Sequence, residues 1–66
     1  MSDKLDWALA AWDNMEKYLA DAVAEDGEEN LHETMYTLCL DGAVDAGADW
    51  ESAVDIAIMH CGELPQ

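Results

Sequence analysis

Cys39, Cys61, His32, His60 and sixteen carboxylates are the groups in this 66-residue sequence best suited to metal, nucleophilic or acid–base chemistry. Their spacing argues against each use in turn. His60 and Cys61 are adjacent, so on a helix their side chains diverge by about 100°, a poor arrangement for one metal ion. His32 and Cys39 lie seven residues apart and could share a face, but no CxxC or HxxxH spacing accompanies them. Asp41, Asp45 and Asp49 recur at every fourth residue, whereas a calcium loop sets its ligands at alternate positions around a central glycine. The two Ser and two Thr stand outside any nucleophile-elbow context, no Gly-rich phosphate loop is present, and there is no Arg to clamp an anion. Carboxylate pairs are so common that none stands out as a general acid–base dyad. The expectation is a non-enzyme without cofactor or metal site.

The charge itself is the stronger signal. Sixteen Asp and Glu face two Lys, for a formal net charge of −14, well above the magnitude of roughly 2–8 that keeps a small domain soluble. Self-repulsion on that scale opposes a compact state. The chain is nevertheless 52% hydrophobic, with three Trp and four Met, too apolar for the low-hydrophobicity signature of disorder. It is expected to fold as one domain over residues 1–66. The sequence opens on a helix-like pattern with no basic n-region or apolar h-region, and no run approaches the ~18 apolar residues of a membrane span. A cytosolic protein with no membrane partner is expected, with Cys39 and Cys61 as small buried hydrophobes. A disulfide between them stays open if their helices pack together.

Three helices must position these groups. Capped by Ser2 or Asp3, a first helix over about 3–25 carries Leu5, Ala8, Trp12, Met15, Leu19 and Ala22 at steps of three and four, with Leu9 and Val23 widening the stripe. Asp3, Asp6, Asp13, Lys17 and Asp21 lie opposite, and Gly27 stops the helix. A second helix over about 31–46 opens with Asn30 and Glu33 in a capping-box pattern. Its face is Leu31, Met35, Leu38, Cys39, Gly42 and Ala46, with Leu40 and Val44 off that face, so this helix is expected to be covered on two sides. Gly42 would permit close helix–helix approach. Asp49 caps a third helix over about 50–61, with Trp50, Ala53, Val54, Ala57, Ile58 and Cys61 inward and Gly62 at its end. Residues 62–66 read as a short tail. No strand-like alternation appears. The predicted fold class is all-α, a compact three-helix bundle.

Trp12 and Trp50 fall in the apolar stripes and are expected in the core. Trp7 and Tyr18 lie on the flank of the first helix, where they could anchor a partner or cover the bundle ends. Ile56 and Met59, with Leu40 and Val44, are candidates for a second apolar surface serving a dimer or a docking patch.

The candidate partner-binding residues are the acids: Asp6, Asp13, Asp21, Glu25, Asp26, Glu28, Glu29, Glu33, Asp41 and Asp45. Duplex DNA carries one charge per ~1.7 Å of axis, and its binding proteins answer with rows of Lys and Arg. Carboxylates one or two helical turns apart, at ~5–11 Å, could meet such a row. With Asp6, Asp13, Asp21, Glu25, Asp26, Glu28 and Glu29 on so small a body, the chain resembles the phage-encoded DNA mimics, a class that includes anti-CRISPR inhibitors of type I surveillance complexes. The resemblance rests on size, charge and expected helicity over the whole chain, and no motif carries it. It implies an inhibitor, in the cytoplasm of a bacterial host, that occupies the basic site of a type I CRISPR-Cas complex where duplex DNA enters. The partner would be that protein complex, with no direct contact to nucleic acid, and the chain would act as a monomer or homodimer.

Two other classes fit the same composition. A haloadapted interaction domain would unfold at low salt and gain structure in molar KCl, where the Debye length falls to ~3 Å. An acidic adaptor or antitoxin would bind a basic protein through an apolar helix face, with Leu40, Val44, Ile56 or Met59 mattering more than any charge.

Overall fold

A computed structural model describes residues 3–64 and contains three helices in antiparallel succession: α1 (Asp3–Asp26), α2 (Leu31–Asp45) and α3 (Trp50–Cys61). A 3₁₀ turn, Glu28–Asn30, joins α1 to α2. The molecule is an all-α three-helix bundle, and the predicted spans match within a residue at each end. Ser2, the alternative first cap, and Pro65 and Gln66 of the tail lie outside the described residues.

Gly27 ends α1 at φ 85°, its N–H donating to the Val23 carbonyl at 2.8 Å. At the end of α2, Gly47 adopts φ 111° and donates to Val44 at 3.0 Å, while Ala48 donates to Ala43 at 3.0 Å. That pair of bonds is the Schellman arrangement, and it turns the chain sharply into α3. Asp49 caps α3 as expected, its carboxylate accepting from the Ser52 N–H at 3.4 Å. Asn30 does not cap α2. Its side chain makes no cap hydrogen bond, and its Nδ2 reaches back to the Asp26 carbonyl at 3.5 Å instead. The 3₁₀ turn delivers Asn30 at φ −106°, ψ 23°, away from the extended conformation a capping box needs.

The core corrects the expected stripes. Of its ten buried hydrophobic residues six are alanine: Ala8, Ala11, Ala43, Ala48, Ala53 and Ala57, joined by Met15, Cys39, Leu40 and Ile56. Helices that meet through alanine approach closely and leave little interior volume for bulky side chains. Trp12 and Trp50, expected inside, are 41% and 66% exposed, and Leu5 and Leu9 stand out from α1. The burial arc of α1 is therefore rotated from the Leu5–Trp12 line onto Ala8, Ala11 and Met15. Leu40 and Ile56, assigned to a second apolar surface, are core instead. Val44 and Met59 do face solvent.

Gly42 marks the closest approach. A Cβ there would lie 2.7 Å from Asn14 Cβ, 2.9 Å from the Ala10 carbonyl oxygen and 2.9 Å from Ala11 Cα. Asn14 reinforces this crossing by donating from Nδ2 to the Leu38 carbonyl at 2.8 Å. As predicted, α2 is covered on two sides and packs extensively on both neighbours, whereas α1 and α3 touch least. The bundle is accordingly flattened, 37 × 26 × 14 Å between Cα extremes.

Candidate functional site

All sixteen carboxylates lie among the described residues and all are exposed. Charges opposed by so few cations remain in water, because burying an unpaired carboxylate costs far more than any contact returns. Two lysines stand against these sixteen acids.

The fold gathers part of this charge along the seam between α1 and α2. At the turn end, Asp26 and Glu33 line an open hollow of about 420 Å³ with Ala22, Asn30, Thr34 and Thr37. At the opposite end, Asp13 and Asp45 line a hollow of about 300 Å³ with Asn14, Lys17 and Gly42. Between them, Asp21 stands one turn beyond Lys17 on α1, and Asp41 one turn before Asp45 on α2. Residues four apart are neighbours on a helix surface, so both continue the same two edges. Asp13, Asp21, Asp41 and Asp45 thus border the seam toward one end, and Asp26 and Glu33 line its turn end. From Asp13 to Asp26 the axial rise is about 20 Å at 1.5 Å per residue. Six carboxylates lie along that length, three on α1 and three on α2. Lys17 interrupts the row with one positive charge, its Nζ held 5.5 Å from the centroid of the Tyr18 ring.

The remaining candidates do not join this row. Asp6 stands on the outer side of α1, three residues before Leu9. Glu28 and Glu29 are in the 3₁₀ turn, and Glu25 is in the last turn of α1; these three extend the acidic end of the molecule. Glu29 and Glu33 share a small hollow with His32 and Leu64.

The polar groups set aside at the outset have structural roles here. His60 Nε2 lies 2.9 Å from the Ala8 carbonyl oxygen; a carbonyl only accepts, so Nε2 carries the proton and donates. The Trp12 ring sits 5.2 Å from the His60 ring at 47°, tying α1 to α3. Cys39 and Cys61 meet as free thiols with sulfurs 3.7 Å apart. Burial pushes the Cys39 thiol up to about 12, and the Cys61 thiol beside it acts in the same direction. A thiol so protonated is a poor nucleophile and a poor metal ligand. The Ser52 side chain, and after it the Ser52 N–H, hold the Asp49 carboxyl below its usual range. Among the described residues, no three His, Cys, Asp or Glu side chains converge as metal ligands, and no helix is long and apolar enough to cross a membrane.

Sequence reasoning set Leu5, Leu9 and Trp12 in the core with Ala8 and Met15, and left Ala11 out. Ala11, three residues after Ala8 and four before Met15, was the available signal for the true arc. No protein-family model, curated protein or solved structure matches the chain.

Proposed function

We propose that this protein is an inhibitory DNA mimic, which occupies a basic duplex-binding site on a nucleic-acid-handling complex and keeps DNA out. The observation that carries the reading is the exposed acids of the two packed helices, Asp13, Asp21 and Asp26 on α1 and Glu33, Asp41 and Asp45 on α2, with scarcely a cation among them. The whole molecule supports it: fourteen net charges over a 37 Å body amount to one per about 2.6 Å of its long axis, against ~1.7 Å for duplex DNA. A rigid helical body fixes those charges before binding, so little ordering cost is paid at the encounter. Association would be fast and strongly salt-dependent, as for any pair of oppositely charged surfaces.

On this reading the acids bind and exclude, and no bond is made or broken. The favoured target class, by its resemblance to small acidic phage inhibitors, is a type I CRISPR-Cas surveillance complex, at the basic surface that admits duplex DNA. The test is competition. A purified complex is loaded with labelled duplex at 50 mM salt and titrated with the protein. Displacement at near-stoichiometric protein that fades by 300 mM salt supports the reading, and full retention of duplex at hundredfold excess removes it for that target. Asp13→Lys with Asp45→Lys should weaken displacement at least tenfold, since the pair turns one end of the seam positive.

A further inference from the structure

The feature that the acidic seam leaves unexplained is apolar, and it lies along the other flank of α1. Leu5, Leu9 and Trp12 follow one another at i, i+4 and i+7 and are 60%, 61% and 41% exposed; across from them on α3, Met59 is 63% exposed. Between the two helices, which touch least in the bundle, runs a groove of about 270 Å³ floored by Ala8 and Ile56 and edged by Leu5 and Met59. Single exposed leucines are ordinary, but Leu5 and Met59 at the groove's edges, continued along α1 by Leu9 and Trp12, form an unpartnered helix-packing face.

We propose that this groove seats an amphipathic helix of a basic protein, with apolar residues at i, i+3 or i+4 and i+7 facing inward and Lys or Arg along its edges. The charge around the groove selects that occupant. Asp6 and Asp13 flank Leu9 at i−3 and i+4, Glu16 follows Trp12 at i+4, and Asp55 lines the groove four residues before Met59. Among the described residues, Lys4, at one end, is the single cation of the lining. A second copy of this chain would set these carboxylates against their own equivalents, between two bodies each carrying −14. Leu64, the last described residue, lines a different hollow with Tyr36 and Ile58. An apolar ridge bordered by cations satisfies both the groove and its rim. The inference rests on the reading of a basic partner and adds to it the contact that gives register, because charge alone lets two surfaces slide.

The experiment uses the full chain and two 14-residue peptides of identical Leu/Lys composition. One is arranged as an amphipathic helix and the other is scrambled so that no apolar face forms. The amphipathic peptide should bind at least tenfold more tightly at 150 mM salt, with amide shifts concentrated at Leu5, Leu9, Trp12 and Met59. Leu9→Gln with Met59→Gln, both at exposed positions, should abolish that difference while leaving the helical circular dichroism unchanged. Should those variants unfold, the shift map of the unsubstituted chain decides by itself. Equal binding of both peptides, with shifts along the α1–α2 seam, overturns the groove and leaves the basic partner standing. No binding of either peptide at 20 mM salt removes both readings. A dimer in sedimentation that Leu9→Gln dissociates assigns the groove to a second copy and overturns the proposal.

Discussion

Single side chains show how little tolerance this bundle has. Gly42 meets Asn14, Ala10 and Ala11 where any Cβ would fall under 3.0 Å from three of their atoms, two of which are backbone. Alanine is the better helix former by about 1 kcal/mol, yet overpacking costs about 1–3 kcal/mol, and backbone atoms cannot rotate aside. Gly42→Ala should therefore destabilise the chain by about 1–2 kcal/mol net, read as a lowered urea midpoint. Cys39 makes a different prediction. Its folded thiol titrates near 12, whereas 9.0 is the ordinary value that the unfolded thiol approaches. The unfolded state loses its proton first as pH rises, so the stability this thiol contributes is whole below about 9 and drains away between about 9 and 12. Urea melts at pH 7.5 and pH 10.5 should show that loss, and Cys39→Ala should lessen the pH dependence. Alkylation of Cys39 at pH 8 should be slow beside that of an unfolded control.

The elements differ in how they are held at their ends. The start of α3 depends on Asp49, whose carboxylate accepts from Ser52, while Asn30 gives α2 no cap bond. Asp49→Ala should lower the melting temperature and expose the first-turn amides of α3 to hydrogen exchange, and Asn30→Ala should do neither. Because Ser52, by its side chain first and its N–H second, lowers the folded Asp49 carboxyl, the stabilisation is present above the unfolded pKa and is lost as pH falls through the folded value. Acid should fray the start of α3, and Asp49→Asn, which keeps the acceptor oxygen without the charge, should remove that acid sensitivity. Between α1 and α2, the Asn14–Leu38 bond is worth about 1 kcal/mol, and Asn14→Ala should cost at least that much in a urea melt. All three glycine stops were legible from sequence because positive φ favours glycine. The capping box was not, because whether Asn30 can act depends on the 3₁₀ turn that precedes it.

At the scale of the molecule, charge opposes a core built largely of alanine, whose small side chains contribute little apolar burial each. Screening should favour the fold, so the melting temperature should rise between 50 mM and 1 M KCl. A shift of 1 kcal/mol corresponds to about 4–8 °C for a domain of this size. A folded spectrum at 50 mM KCl is the expected starting point. A random-coil spectrum there, with structure appearing only above 1 M, would favour the haloadapted reading and count against a mimic working at ordinary ionic strength. The two surfaces should also respond to salt in opposite ways. Binding through the acidic seam weakens as the Debye length shortens, whereas binding through the Leu5–Leu9–Trp12–Met59 groove retains its apolar part.

The sequence by itself determined the number of helices, their ends at Gly27, Gly47 and Gly62, the Asp49 cap and the exposure of every acid. These follow from local rules: positive φ for glycine, an unfilled N–H at a helix start, and the cost of taking an unpaired charge out of water. Only the tertiary structure decided which apolar stripe became the core. Leu5, Leu9 and Trp12 share the predicted stripe of α1 with Ala8 and Met15, and helical spacing alone does not say whether the buried arc turns toward them or toward Ala11. The outcome turns on Gly42 and the alanines of α2 and α3, which draw the helices too close to admit an indole. That choice, invisible along one helix, left Leu5, Leu9 and Trp12 exposed on α1 and an apolar groove, edged by Leu5 and Met59, beside the acidic seam.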